Sequence, residues 1–276
     1  MGRIIWLASF PKSGNTWMRA FLHNLMRDPS QAYDINRLGE FSFSDSTIHY
    51  YQQHLTKPVA EWTTLDVMEV RGKVQQDLGR MSVDDVFVKT HNAHVAFDNL
   101  PMIHMDVSAG AVYIVRNPLD VCISLADHYG CAIDESIRIL GDNSSGTPPG
   151  DKLVFEIHKT WSVHVQSWTN QPGPWLHVVR YEDMLKKPMV AFSRVARFLG
   201  LNPPRDRIER AVQASSFDSL RKQEDEKGFR ERSYKAEKFF RVGKSGQWRT
   251  ALSKAQIDRV VESHKEQMAR FGYWPL

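Results

Sequence analysis

The sequence predicts one α/β domain over residues 1–276, with a central, mostly parallel sheet flanked by helices. Three observations lead there. Short apolar runs rich in Val and Ile recur at Arg3–Ser9, Val86–Thr90, Ala111–Val115 and Leu176–Arg180, each the length of a buried strand. Helical periodicities follow most of these runs, and strand–helix alternation along a whole chain builds a sheet covered on both faces. No linker-like stretch or internal repeat divides the 276 residues.

The elements read as follows. After the first strand, Trp17, Phe21, Leu22 and Leu25 form one apolar stripe. After the third, Asn117-Pro118 supplies an N-cap and a proline at the first helical position, and Asp120 sits where the helix dipole favours an acid. Pro188 to Leu199 carries Met189, Phe192, Val195, Ala196 and Leu199 on one face and closes at Gly200, before Pro203-Pro204. Ser253 and Gln256 make a capping-box pattern, opening a helix with Ile257, Val260, His264, Met268 and Phe271 in register and Gly272 at its end. Gly141–Gly150 and the charged run Arg221–Lys238 read as loops, either mobile covers or surface excursions.

Composition excludes several classes. Hydrophobic residues are 42% and charged residues 25%, as in an ordinary globular protein. Two cysteines, Cys122 and Cys131, make no disulfide scaffold, so a reducing, cytoplasmic setting is expected. No apolar run approaches the roughly 20 residues that span a bilayer, and the N-terminal run breaks at Pro11 without a signal-peptide cleavage pattern. No membrane association is therefore expected. A net charge of +4 suits a polyanionic ligand and is too small a bias to suggest nucleic acid.

The chemistry concentrates at strand ends. Pro11, Lys12, Ser13, Gly14, Asn15, Thr16 and Trp17 lie between a buried strand and an amphipathic helix, where main-chain N–H groups and the helix terminus hold anions. Gly14 permits close approach, Lys12 brings a cation, and Ser13 and Thr16 bring hydroxyls. This is P-loop-like logic without the GxxxxGK[ST] spelling. Arg116 ends another strand with Ser124 two helical turns on, which suits a second phosphate clamp, although pairing of Arg116 with Asp120 is an alternative from the residues alone. Lys89 and His91 follow a third strand end. No CxxC, HExxH or carboxylate cluster is present, so no metal is expected. Phe240, Arg241, Val242 and Gly243 sit in a run of glycines, basic residues and aromatics near the C-terminus, which suits wrapping of an anion or stacking on a base.

PKSGNTW at 11–17 resembles the phosphosulfate-binding loop of sulfotransferases that use 3′-phosphoadenosine-5′-phosphosulfate (PAPS), and the resemblance continues in order through VKTH, RNPLDVCIS, YEDM and the 239–248 run. It implies sulfuryl transfer from PAPS to a hydroxyl of a small-molecule acceptor, leaving adenosine 3′,5′-bisphosphate. By the same resemblance His91 is the general base, Lys12 stabilises the leaving phosphate oxygen and Lys89 the sulfuryl oxygens. Ser124 holds Lys12 back until the 3′-phosphate is seated. Arg116, Ser124, Arg241 and the Gly243 main chain take that phosphate. Trp17 and Tyr181 lie near the adenine, and Ser215 and Phe217 touch the nucleoside. Val242 and Gln247 depart from the family's basic residue and acid, which puts the 239–248 contribution to donor affinity in question.

Residues 28–85 and the 141–150 loop fall outside these motifs and are expected to shape the acceptor pocket, with Phe41, Phe43, Tyr50, Tyr51 and Trp62 as candidate lining. The short loop spelling looks like bacterial small-molecule sulfotransferases. The family's KxxxTVxxxE dimer segment is not found, which leaves a homodimer open. Two other readings stand beside this one: a P-loop kinase, which needs a carboxylate for Mg²⁺ where Lys89-Thr90-His91 stands, and a non-catalytic nucleotide-binding module.

Overall fold

The computed structural model describes residues 2–273; residue 1 and residues 274–276 of the expected domain lie outside the described residues. Five parallel strands form the main sheet: β1 (Ile4–Ser9), β2 (Ser42–Ser44), β3 (Val86–Thr90), β4 (Ser108–Val115) and β5 (Leu176–Arg180), in the order β2-β3-β1-β4-β5. The four strands legible in sequence are all present. In register, Ala8 of β1 lies beside Thr90 of β3 and Tyr113 of β4, and Val115 of β4 lies beside Arg180 of β5. The carboxyl ends of the three middle strands therefore come level.

Period-two alternation divides the core. Ile4, Trp6, Ala8, Ala111, Tyr113 and Val115 face one layer, which contains α2 (Thr64–Arg80), α3 (Pro118–Tyr129), α4 (Ile133–Gly141), α5 (Trp161–Thr169) and α10 (Lys254–Arg270). Leu7, Val112 and Ile114 face the other, built from α1 (Asn15–Arg27), α6 (Tyr181–Lys186), α7 (Pro188–Phe198) and α8 (Arg205–Ala214). Both capping predictions hold: Asn117 accepts from the Leu119 N–H with Pro118 at the first helical position, and Ser253 and Gln256 cap α10 reciprocally.

Both expected loops contain regular secondary structure. The first half of the Arg221–Lys238 run belongs to α9 (Phe217–Lys227), capped by Ser216. Its inward stripe, Phe217, Leu220 and Glu224, contains a buried carboxylate, and the other charges face solvent. In Gly141–Gly150, Gly141 ends α4, and Gly146–Thr147 pairs antiparallel with Glu156–Ile157 as a short ribbon. The central strand β1 is flanked by β3 and β4, and the chain crosses to opposite sides of it. A crevice opens at their carboxyl ends, the usual ligand position in such sheets.

Candidate active site

The turn after β1 is shaped for close approach. Lys12 takes φ +64° and Gly14 φ +106°, and Gly14 is the N-cap of α1. A Cβ on Gly14 would lie 2.7 Å from the Tyr181 ring, so glycine is required by both φ and space. Asn15 Nδ2 donates to the Leu7 carbonyl at 2.8 Å and to Ser9 Oγ at 3.3 Å, stitching the turn back onto β1.

Arg116, at the end of β4, holds the same turn from the other side. Its Nη1 donates to the Lys12 carbonyl at 2.8 Å and to Ser124 Oγ at 3.2 Å, and the guanidinium lies 4.3 Å from the Tyr181 ring centroid. The predicted Arg116–Ser124 pairing is therefore present. Asp120 is not its partner: the Asp120 carboxylate accepts from the Gly246 and Trp248 N–H groups at 2.6 and 3.2 Å. Ser124 engages Arg116, and the Lys12 ammonium instead sits 4.0 Å from the Phe239 ring centroid. Among the described residues no hydrogen bond joins Ser124 to Lys12, and the contact at the Lys12 ammonium is a cation–π one. Burial first, and the Arg116 charge second, lower the Lys12 pKa from 10.5 to about 8.

Beyond β3, His91 Nδ1 lies 2.8 Å from the Ser9 carbonyl. A carbonyl only accepts, so Nδ1 carries the proton and Nε2 is left as a lone-pair acceptor. Burial, and then the Lys89 charge, push the His91 pKa well below the ordinary histidine value. The ring is neutral at pH 7. His158 lies beside it, ring centroids 6.5 Å apart, with its Nε2 3.4 Å from Glu156 Oε2.

The 239–248 segment closes the opposite wall. The two carboxylate oxygens of Glu224 accept from the Phe239 and Phe240 N–H groups, each at 2.8 Å, and Arg241 Nε lies 3.6 Å from Asp127. Gly243 has φ +63°, and a Cβ there would meet the Phe217 ring at 2.3 Å.

These groups line one cavity of about 630 Å³. Its wall includes Lys12, Lys89, His91, Arg116 and Ser124, together with Pro11, Gly14, Asn15, Thr16, Trp17, Tyr181, Phe217, Phe240, Arg241, Val242 and Gly243. Two expected residues do not reach it. Ser13 is buried beneath the turn with its hydroxyl unpartnered. Ser215 is fully buried and donates to the Ala211 carbonyl at 2.8 Å, because a hydroxyl at a helix end finds its own backbone first.

Of the candidate acceptor-side aromatics, Phe43 and Tyr50 line the cavity. Tyr51 is buried with its hydroxyl on the Asp45 carbonyl, Phe41 stacks on His23 and Phe87, and Trp62 donates to the Lys57 carbonyl. Sequence reasoning missed Glu156, His158, Arg19 and Glu231. Arg19 and Glu231 lie far apart in the chain, yet Arg19 Nη1 meets both Glu231 oxygens at 2.8 Å. Among the described residues no group of three His, Cys, Asp or Glu is placed to hold a metal ion, and no helix is long and apolar enough to cross a membrane.

The cytosolic sulfotransferase 13 of Arabidopsis thaliana is 25% identical, the match covering 95% of this chain and 76% of that protein. The flavonol 3-sulfotransferase of Flaveria bidentis is 24% identical over 97% of this chain and 82% of its own. Retinol dehydratase, in a structure with retinol and PAP, shares the fold at a TM-score of 0.65 and 18% identity, covering 96% of this chain and 81% of that one. A mouse sulfotransferase complexed with PAP gives 0.62 at 18% identity, covering 96% and 84%. The plant and mouse relatives lend nothing to the bacterial type suggested by the loop spelling. The family model described as "Sulfotransferase domain" matches residues 3–272, and the chain belongs to that family.

Proposed function

We propose that the protein transfers the sulfuryl group of PAPS to a hydroxyl of a small-molecule acceptor by in-line displacement, with His91 as general base. The observation that carries this is a single cavity walled at one end by the Lys12 turn and the Arg116–Ser124 pair, and at another by a neutral histidine with Nε2 free of protein partners. A bisphosphorylated nucleotide suits the first end: Arg116 Nε and Trp17 Nε1 are buried donors without partners on that wall. The PAP in the retinol dehydratase and mouse sulfotransferase structures supports the same donor.

In this reading Arg116, Ser124, Arg241 and the Gly243 main chain hold the 3′-phosphate. Tyr181 and Phe217 flank the nucleoside. Lys12 offsets charge on the leaving oxygen, and Lys89 offsets it on the sulfuryl oxygens. His91 Nε2 takes the acceptor's proton as the new O–S bond forms and the bond to the departing bisphosphate breaks. The setting is cytoplasmic, in keeping with the cytosolic relatives; a homodimer is part of the proposal, and sedimentation checks it.

Thermal shift with adenosine 3′,5′-bisphosphate, ATP·Mg²⁺ and an oligonucleotide tests the donor assignment. Only the bisphosphate should raise the melting temperature strongly, by about 2.7 kcal/mol of stability at a hundred times its dissociation constant. A larger rise with ATP·Mg²⁺ turns the assignment to a kinase. Transfer of labelled sulfuryl to a panel of phenols and alcohols tests the reaction itself.

A further inference from the structure

We infer that Glu156 selects acceptors carrying a second hydroxyl, taking that hydroxyl as a hydrogen-bond donor to Oε1. The inference rests on the sulfotransferase reading of the cavity and names the acceptor class within it.

Three carboxylates line the cavity, and two are committed. Glu231 meets Arg19 at 2.8 Å, and Asp127 lies 3.6 Å from Arg241. Glu156 is 5% exposed and has no Lys or Arg within ion-pair distance among the described residues. Its Oε2 accepts from Thr147 Oγ1 at 3.1 Å and lies 3.4 Å from His158 Nε2. Its Oε1 is buried with no hydrogen-bond partner at all. Burial alone would raise the Glu156 pKa, yet the Lys89 charge first, and the His158 hydrogen bond after it, hold it well below the usual carboxylate range. The group is an anion.

A buried carboxylate oxygen without a donor is costly, and a ligand donor is the natural complement. His158 neighbours both groups: its Nε2 lies 3.4 Å from Glu156 Oε2, and its ring lies 6.5 Å from that of His91, centroid to centroid. Glu156, His158 and His91 line the same cavity, so one small molecule can present both the reacting hydroxyl and the second donor. A neutral hydroxyl fits better than an ammonium, since Lys89, Lys152 and Lys12 share the cavity.

The test is calorimetric titration of phenol, the three dihydroxybenzenes and tyramine into wild-type protein and Glu156→Gln, with and without adenosine 3′,5′-bisphosphate. The expected result is that at least one dihydroxybenzene binds the wild type about ten- to a hundredfold tighter than phenol, as for a hydrogen bond to a charged group. In Glu156→Gln this advantage shrinks to a few fold or less, while a retained melting transition shows that the variant folds. Equal binding of phenol and all dihydroxybenzenes by the wild type overturns the inference, as does an advantage that survives in the variant. A gain for tyramine alone overturns the choice of hydroxyl. The binding ratio is read without turnover, so absence of sulfuryl transfer with the ratio intact counts against the proposed reaction and leaves the Glu156 assignment standing.

Discussion

On the proposed donor assignment, Lys12 gives the cavity a pH dependence that an ordinary lysine lacks. Its pKa falls from 10.5 to about 8 through burial and the neighbouring Arg116, which corresponds to roughly 3 kcal/mol against the charged form. A phosphate placed beside Lys12 restores the charge, so binding takes up a proton once the pH exceeds 8. With a bound-state pKa back near the ordinary lysine value, affinity for adenosine 3′,5′-bisphosphate should fall about thirtyfold between pH 7 and pH 9.5. Isothermal titration at fixed ionic strength reads this directly. Lys12→Arg should flatten the profile, because guanidinium stays charged throughout. Without ligand the sign reverses: the native lysine releases its proton before the unfolded chain does, so stability rises with pH above about 8. An affinity that stays level from pH 7 to 9.5 in the wild type would refute the placement of Lys12 as a partly desolvated phosphate ligand.

Three other perturbations bear on the same site. Arg116→Ala removes the donor to the Lys12 carbonyl and to Ser124, so bisphosphate affinity should drop at least about tenfold; it should also move the affinity loss of the wild type to higher pH, and an unchanged dissociation constant refutes the clamp. His91→Ala should lower turnover by about 10²–10⁴, and because the native ring is already neutral, wild-type turnover should hold level from pH 7 down past 6, where a half-loss near 6.5 would contradict the burial of this histidine. Gly14→Ala combines φ +106° with a Cβ only 2.7 Å from the Tyr181 ring and should cost about 1–3 kcal/mol in a denaturant melt, whereas Gly141→Ala, with nothing within 4 Å, should cost far less.

The parts of the site that could be read from the sequence are those whose chemistry is local. The 11–17 turn, the strand ends carrying Lys89, His91 and Arg116, and the i, i+8 placement of Ser124 all follow from contiguous residues, and all of them but Ser13 reach the cavity. Where structure and expectation differ, the causes are physical. Ser215 looks like a ligand group by type, but its helix supplies a carbonyl at 2.8 Å. Arg221–Lys238 looks like a solvated loop because Glu224 counts as a surface residue, although two main-chain N–H groups make its burial favourable. The edge strand β2 is three residues long, too short for any periodicity to register. Glu156 and the Arg19–Glu231 pair gain meaning only from partners brought in by the fold.

The 239–248 segment shows why departures in spelling can be misleading. Val242 and Gln247 stand where the family resemblance calls for a basic residue and an acid. The shape of the segment, however, is set elsewhere. Glu224 takes the N–H groups of Phe239 and Phe240, and Asp120 takes those of Gly246 and Trp248, so two carboxylates fix four main-chain donors along ten residues. Such charge-assisted bonds are stronger than neutral ones, and none involves the side chains at 242 or 247; Gln247 only donates to the Lys244 carbonyl within the loop. The departures therefore remove one basic and one acidic side chain but none of this main-chain support, and Arg241 and the Gly243 main chain remain on the cavity wall. The residues that determine whether this wall exists are Glu224 on α9 and Asp120 on α3. Neither belongs to the motif it supports, and motif spelling alone is a poor guide to what holds this cavity wall together.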